Sequence, residues 1–260
     1  MGSADRQGPL WGAAARDWAE IAEPAQIPFY ETAFEAIGVG NGTNLLDVGC
    51  GAGLAMQLAE KRGATVSGID AAEGFLAVAR ERLPAADIQH GDIEELPFAD
   101  EAFDAVTAFN SVQYAADPSA ALREIKRVAK PGAGVAVVTW GTADQCEMRV
   151  LLGAIGALLP PPPPGAGGPF ALAAPGALEA LVESAGLTTE RALDVSTPYI
   201  YPNLDIATTG QLSSGPARMA INTAGLDATT AAVREAMATG TQADGTIRLD
   251  NVFKVVVARA

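Results

Sequence analysis

Between residues 44 and 140, short apolar runs alternate with segments of helical periodicity, and this alternation constrains the fold more than any other feature of the chain. "NLLDV" (44–48) reads as a first strand, and Leu54 to Lys61 as a helix opening on a glycine loop. "TVSGID" (65–70) is a second strand, and Phe75, Leu76, Ala79 and Leu83 mark the next helix. A short strand precedes Gly91, and "FDAVTAF" (103–109) is a fourth. Asp117-Pro118 opens a helix carrying Leu122, Ile125 and Val128, which "KPG" (130–132) is expected to end, and "GVAVVTW" (134–140) is a fifth strand. Such alternation specifies a mostly parallel sheet with helices on both faces. The expected fold is therefore α/β: a Rossmann-like, doubly wound, seven-stranded and mostly parallel sheet, with a helical N-terminal and insertion cap.

Beyond Trp140 the pattern loosens. "GALEALVESAGL" (176–187) is a helix stopped by Gly186, a strand follows near 189–197, and "NVFKVVVARA" closes the chain as an apolar strand. The segments 141–174 and 202–246 are too long for simple connections and read as cap. The first forty residues look helical, with Trp11, Ala14, Ala15, Trp18 and Ala22 on one face and Ile27, Tyr30, Phe34 and Ile37 on another. The expected division is a helical lid over 1–40, a ligand-binding core over 41–201 with a cap insertion at 141–174, a cap segment over 202–246, and the last core strand over 247–260. "PPPPPGAGG" (160–168), a stiff stub followed by a flexible patch, reads as a surface excursion at a lid edge.

The first strand runs into "LLDVGCGAG" (45–53). In an open α/β sheet, ligands bind beyond the carboxyl ends of the strands, and this loop is the usual place. A dinucleotide fingerprint would need a glycine at position 54, which is Leu54; the glycines are instead Gly49, Gly51 and Gly53. Asp47 adds an electrostatic objection, because a carboxylate in a partly buried site repels phosphate. It suits a ligand that presents an ammonium and a sulfonium and no phosphate, as S-adenosylmethionine does. Asp70, at the tip of the second strand, is placed for a bidentate hold on ribose hydroxyls, which both ligand classes need.

Charge and rare residues narrow the chemistry. Against 17 basic residues stand 31 acidic ones, a formal net charge of −14, which opposes binding to nucleic acid or an anionic membrane and favours a small-molecule partner. Only Cys50 and Cys146 are cysteines and His90 is the single histidine, so neither a disulfide framework, a histidine-based metal site nor a Ser-His-Asp triad is expected. No signal-like or membrane-spanning stretch is present: "VLLGAIGALL" (150–159) is half the length needed. A soluble protein of the cytoplasm is the expectation.

Residues 30 to 140 resemble the class I S-adenosylmethionine-dependent methyltransferases, in particular the branch containing quinone-biosynthesis and natural-product enzymes. The likeness runs through "LLDVGCGAG", "VSGIDAAEGFLAVARER", "HGDIEELPFADEAFDAV", "FNSVQYAADP" and "ALREIKRVAKPGAGVAVVTW", in order and spacing. The resemblance implies that Asp47 and the backbone of Gly49, Cys50, Gly51 and Gly53 surround the methionine portion of the cofactor. Asp70 would bind ribose, with Ala71 against the adenine. Asp92 and Ile93 would take the adenine amino group and ring edge, and the backbone of Asn110 and Ser111 would approach the ammonium.

Other positions carry two readings. Cys50 in a glycine loop is a small residue permitting close backbone approach rather than a nucleophile. His90 reads as a surface or structural residue, and the basic residues of "REIKRVAKPG" as a solvated helix face. "NSVQY" lacks the Asn-Pro-Pro-Tyr run of relatives that methylate exocyclic amines or glutamine, and it lacks the histidine base common near Gln113. Gln113 and Tyr114 are thus expected to orient substrate or to pack. Trp11, Arg16 and Trp18 form either an amphipathic helix face or a lid with Trp18 as a wall and Arg16 near the methionine carboxylate. Tyr30, Trp140, Phe170, Tyr199 and Tyr201 are the aromatic candidates for the substrate pocket.

The expected function is in-line methyl transfer from S-adenosylmethionine, leaving S-adenosylhomocysteine, to an oxygen or nitrogen nucleophile of an aromatic, heteroaromatic or natural-product acceptor. Proximity and desolvation would drive it, with no metal. The alternatives are another reaction run on the same bound cofactor, an NAD(P)-dependent oxidoreductase, or a non-catalytic binding subunit.

Overall fold

The computed structural model describes residues 3–161 and 168–260. Nine strands and eleven helices are found among them. The strands are β1 (Asn44–Val48), β2 (Thr65–Asp70), β3 (Asp87–His90), β4 (Phe103–Phe109), β5 (Ala129–Trp140), β6 (Thr188–Ser196), β7 (Tyr199–Tyr201), β8 (Ile247–Leu249) and β9 (Val252–Arg259). Seven form one sheet in the order β3-β2-β1-β4-β5-β9-β6, parallel throughout except where β9 runs antiparallel to β5 and β6. The chain winds outward in one direction from β1 through β2 to β3 and in the other from β4 to β5. A crevice therefore opens where β1 and β4 part, the place where open α/β sheets hold ligands.

The helices are α1 (Ser3–Gly12), α2 (Ala15–Asp17), α3 (Ile27–Ile37), α4 (Leu54–Lys61), α5 (Glu73–Arg82), α6 (Pro118–Val128), α7 (Arg149–Gly156), α8 (Ala177–Ser184), α9 (Leu204–Leu212), α10 (Gly215–Ala224) and α11 (Leu226–Ala238). One face of the sheet is covered by α3, α4 and α5, where Phe29, Phe34, Met56 and Leu76 are fully buried. The other is covered by α6 and α8, through Leu122, Ile125, Leu178 and Val182. Each such side chain contributes about 1.5–3 kcal/mol through burial. Asp117 caps α6 by accepting from the amides of Ser119 and Ala120.

Three expectations are refined. "KPG" (130–132) does end α6, which stops at Val128 because Pro131 forces the residue before it out of helical geometry, but β5 already begins at Ala129, ahead of the expected 134–140, with an irregular, bulged start. The loose polar stretch 202–246 holds three helices, α9 to α11, followed by β8, which pairs with β7 in a small second sheet. The first forty residues are helical as expected, but not as regular α-helix throughout. Between α2 and α3 lie a π-turn over Trp18–Ala22 and a 3₁₀ turn over Glu23–Gln26, the latter carrying Pro24. Of the proline–glycine stretch 160–168, residues 162–167 lie outside the described residues. No helix is long and apolar enough to cross a membrane among those described.

The N-terminal segment is docked closely on both core and cap. A β-carbon on Gly8 would stand 2.2 Å from the Ala71 carbonyl oxygen, and one on Gly74 2.3 Å from that of Gly12, so α1 lies backbone to backbone on the start of α5. On its other side, a β-carbon on Gly215 of α10 would fall 2.6 Å from the ring of Trp11.

Candidate active site

Val48 ends β1, and the chain turns sharply because Gly49 and Gly51 adopt positive φ (79° and 53°). That turn aims the amides of Gly49 and Cys50 at the Ile69 carbonyl, at 2.8 and 3.0 Å, and ties the loop to the tip of β2. A β-carbon on Gly49 would stand 2.3 Å from that of Ser111, so only glycine fits between β1 and β4 here. The same construction on Gly51 meets nothing closer than Glu23 Oε1 at 3.9 Å and Phe75 at 4.0 Å. This bare backbone is the floor of a cavity that a side chain would occupy.

The cavity is lined by the loop and strand ends (Asp47, Gly49, Cys50, Gly51, Asp70, Ala71, Asp92, Ile93, Phe109, Asn110, Ser111), by the N-terminal segment (Trp11, Trp18, Glu23, Gln26, Tyr30) and by Phe75, Tyr114, Trp140 and Tyr199. Ser3, Ala4 and Gln7 complete it. Its lining holds four carboxylates, Glu23, Asp47, Asp70 and Asp92, and no lysine, arginine or histidine among the described residues.

Each carboxylate is differently held. Asp47 is 1% exposed and its Oδ1 accepts a single side-chain hydrogen bond, 2.8 Å from Thr107 Oγ1. Burial, with Asp70 and Glu23 nearby, lifts its pKa to about 7 against that bond. Asp70 accepts from the Gly51 and Ala72 amides at 2.9 and 2.8 Å, so burial raises its pKa only against these opposing bonds. Asp92 accepts from Ser3 Oγ and the Ala4 and Glu94 amides, which seats the first turn of α1 at one end of the cavity. Glu23 is 3% exposed and bound to Arg82 at 2.5 Å.

At the other end the wall is aromatic. Tyr30 packs edge-on to Phe109 at 4.7 Å, and its hydroxyl donates to Gln26 at 2.6 Å; Trp140 lies 6.2 Å from Tyr199. Burial pushes the hydroxyls of Tyr30 and Tyr199 well above the ordinary range and that of Tyr114 up to about 12. Trp11, Trp18, Phe75 and Tyr114 form a second cluster, Trp11 standing 5.1 Å from Trp18 and 5.5 Å from Tyr114.

The structure brings together fifteen of the positions singled out from sequence and leaves five apart. Gly53 caps α4 at φ 84° and packs on Ala79, where a β-carbon would stand 3.0 Å away; its constraint is helix packing rather than cavity contact. Arg16 points outward and is held bidentately by Glu81 at 2.7 and 2.8 Å. Gln113 donates to Asn110 Oδ1, the side chain of a residue in left-handed geometry (φ 52°), rather than facing the cavity. Phe170 lies behind Trp140, ring centroids 6.1 Å apart, and Tyr201 is buried in the cap with its hydroxyl accepting from Gln211. His90 is exposed, with Nε2 3.1 Å from the Ala71 carbonyl, and burial raises the Cys50 thiol well above its usual range.

Glu23, Gln26, Phe75 and Phe109 line the cavity without having been singled out as site residues. Phe75 and Phe109 sit in segments read correctly as helix and strand, but neither reading shows that a ring faces a ligand. Glu23 and Gln26 lie in the 3₁₀ turn, where no periodicity exists to read.

Known proteins resemble part of this chain. Residues 46–137 match the family described as "Methyltransferase domain". The chain is 36% identical over 133 residues to Methyltransferase GfsG of Streptomyces halstedii, covering 47% of this chain and 48% of that one. It is 40% identical over 125 residues to the malonyl-[acyl-carrier protein] O-methyltransferase of Erwinia pyrifoliae, covering 48% and 47%. The chain thus spans about half the length of the curated relatives it matches. Among solved structures, a SAM-dependent methyltransferase from Aquifex aeolicus superposes over 95% of this chain and 97% of its own, with a TM-score of 0.58 at 16% identity. The expected Rossmann-like sheet is the fold observed.

Proposed function

We propose that this chain, whose residues 46–137 match the methyltransferase-domain family, binds S-adenosylmethionine in the cavity beyond β1 and β4 and transfers its methyl group to a small-molecule nucleophile. One observation carries the reading: a glycine-floored cavity at the point where the strand order reverses, walled by four carboxylates and, among the described residues, no basic side chain. A nucleotide phosphate would meet repulsion there without a counter-charge. A ligand bearing ammonium and sulfonium meets the opposite, and the open floor at Gly51 admits it.

In this reading Asp70 and Asp92 hold the ribose and the adenine edge, Ala71 and Ile93 lie against the base, and Asp47 with the Gly49–Gly51 backbone faces the methionine portion. Cys50, Asn110 and Ser111 contribute backbone, since the Ser111 hydroxyl is already donated to the Val48 carbonyl at 2.6 Å. When bound, the cofactor supplies a methyl group on an already activated sulfur, so the protein's task is alignment and exclusion of water. Trp11, Trp18 and Phe75 do the excluding. Tyr114 and Tyr199, protonated at neutral pH, orient an acceptor as hydrogen-bond donors beside Phe109 and Trp140, while Tyr30, its proton given to Gln26, offers its oxygen as an acceptor. An oxygen or nitrogen nucleophile on an aromatic or natural-product scaffold suits such a chamber, and the O-methyltransferase name of one relative supports oxygen.

Calorimetric titration with S-adenosylhomocysteine and with NADH separates this reading from an oxidoreductase. Binding of the first alone is expected, and binding of NADH alone overturns the proposal. Methyl-deuterated cofactor incubated with a small-molecule extract then tests transfer: a label on a metabolite is expected. A cofactor-bound protein that releases no S-adenosylhomocysteine and converts a metabolite without label would assign it a different reaction on the same cofactor.

A further inference from the structure

Glu23 is the one cavity carboxylate supplied by the N-terminal segment's 3₁₀ turn, and it is nearly as buried as Asp47. Its Oε2 accepts from Arg82 Nη1 at 2.5 Å and its Oε1 from the Leu54 amide at 3.3 Å. The same Arg82 donates to the carbonyls of Ala52 in the glycine loop, at 2.8 Å, and Ala19 in the π-turn, at 2.9 Å. The guanidinium thus joins three segments and sets the carboxylate in place. A carboxylate has about four acceptor positions, and the Arg82 guanidinium with the Leu54 and Ala52 amides leaves at least one unused. The free side of Oε1 faces the gap above Gly51, 3.9 Å from where a β-carbon would stand. Glu23 and Asp47 line the same cavity, near enough for Glu23 to raise the pKa of Asp47, and Arg82, held to Glu23 from α5, is among the described residues the one cation hydrogen-bonded to either.

We propose that Glu23, held by Arg82, is a cofactor-recognition residue: its Oε1 is the acceptor for the ammonium of the cofactor's amino-acid portion, opposite Asp47. This rests on the cofactor reading above. The assignment accounts for a buried acid being kept at a cavity wall, where an apolar residue of similar size would be as stable or more so. It also accounts for the guanidinium behind it, which opposes the upward push of burial on the acid's pKa and fixes the carboxylate while its second oxygen stays open to the ligand.

The test compares two ligands by calorimetry: S-adenosylhomocysteine and 5′-deoxy-5′-methylthioadenosine, which shares the adenosine and the sulfur but lacks the amino-acid portion. Glu23→Gln keeps an amide oxygen for Arg82 and Leu54, and the double variant Glu23→Gln/Arg82→Met removes the cation that the first change leaves unpaired. In both, S-adenosylhomocysteine should bind at least about tenfold more weakly, the scale of a lost charge-assisted hydrogen bond, while methylthioadenosine keeps its affinity. Equal weakening of both ligands, with a lowered melting temperature, would make Glu23 a wall element only and overturn the proposal. So would no change in either. If the unaltered protein binds methylthioadenosine and S-adenosylhomocysteine not at all, the cofactor reading itself falls, a result distinguishable from the failure of Glu23 alone.

Discussion

The cavity has two halves built on different principles. The core half, from β1 through β4, holds Asp47, Gly49, Gly51, Asp70, Asp92 and Asn110 at or just past strand ends, where strand and turn set the backbone, although Asp47 and Asp92 also accept from Thr107 and Ser3. The cap half, from the N-terminal segment and the elements after β5, is fixed by pairings between distant residues. Glu23 depends on Arg82, Gly8 on Ala71, and Trp11 on Gly215. In the first half a few adjacent residues determine where a ligand goes. In the second, no short stretch does, and the same lengths of chain could be rearranged without disturbing the sheet.

The comparison breaks most severely at Gly49. Gly49→Ala would place a β-carbon 2.3 Å from that of Ser111 at a backbone φ of 79°. Both faults are backbone-deep, so a loss of order 2–4 kcal/mol in stability is expected, with S-adenosylhomocysteine binding abolished. Urea unfolding and calorimetry check it; retention of near-normal affinity would mean that the loop is softer than its contacts imply.

The cap half breaks at Gly8. Alanine is the better helix former, so Gly8→Ala should strengthen an isolated α1 by about 0.5–1 kcal/mol. Here its β-carbon would meet the Ala71 carbonyl at 2.2 Å, and α1 must lift from the core. Cofactor affinity should fall about tenfold, or about 1.4 kcal/mol, with tryptophan fluorescence altered through Trp11 and Trp18 while the midpoint of sheet unfolding barely moves. Parallel losses of affinity and core stability would erase the distinction between the halves.

How much of each half was legible in the sequence follows from the same difference. β1, β2, β4 and α4 have the bounds expected, because buried parallel strands are near-continuous apolar runs and the glycines mark the turn. Asp47 and Asp70 lie on the cavity for the same reason: a residue at the tip of a known strand has a known place; Asp92, two residues past β3, was expected there only from the family likeness of its segment. The cap was read as loose chain because α9 and α10 bury mostly alanine, threonine and glycine rather than large apolar side chains, as at Ala207, Thr208, Gly210 and Ala220, and α11 buries only Val233 and Met237 among large apolar residues. Their helical period is therefore written in small residues that loops also use. Arg16 misled because helical spacing placed it beside Trp18, whereas the direction of its side chain is decided by Glu81, 65 residues away.

A subtler break lies within the core half. Asp47 sits well above the ordinary aspartate pKa of 3.8, near 7, so the folded chain holds its proton more tightly than the unfolded one. Its contribution is fully favourable below about pH 4, declines as pH rises through 7, and leaves an ionised, buried acid above that, costing at most roughly 4 kcal/mol. Asp47→Asn keeps an acceptor for Thr107 and carries no charge. The variant should match the parent's melting temperature near pH 4 and exceed it at pH 8, while binding S-adenosylhomocysteine several-fold more weakly. In the parent, cofactor binding near pH 7 should release up to one proton, read as a buffer-dependent binding enthalpy. An unchanged difference between the two proteins from pH 4 to 8 would remove Asp47 as the titrating group.

The smallest effect is expected at Arg16, and it sharpens the comparison for that reason. A cation so close to Trp18 in sequence is the natural candidate to neutralise the cofactor's carboxylate, yet its guanidinium is 63% exposed and spent on Glu81. Exposed pairs of this kind contribute little, because water and salt already screen both charges. Arg16→Ala should therefore change S-adenosylhomocysteine affinity less than about twofold, within the range of an ordinary surface substitution, and leave its salt dependence unaltered. A tenfold loss, disappearing at high ionic strength, would instead require the N-terminal segment to turn when the cofactor enters and bring Arg16 inward. The cap half would then owe its site to binding rather than to the folded pairings with Ala71 and Arg82. A null result at Arg16 beside a large one at Gly8 would leave those pairings as the whole of the cap's contribution.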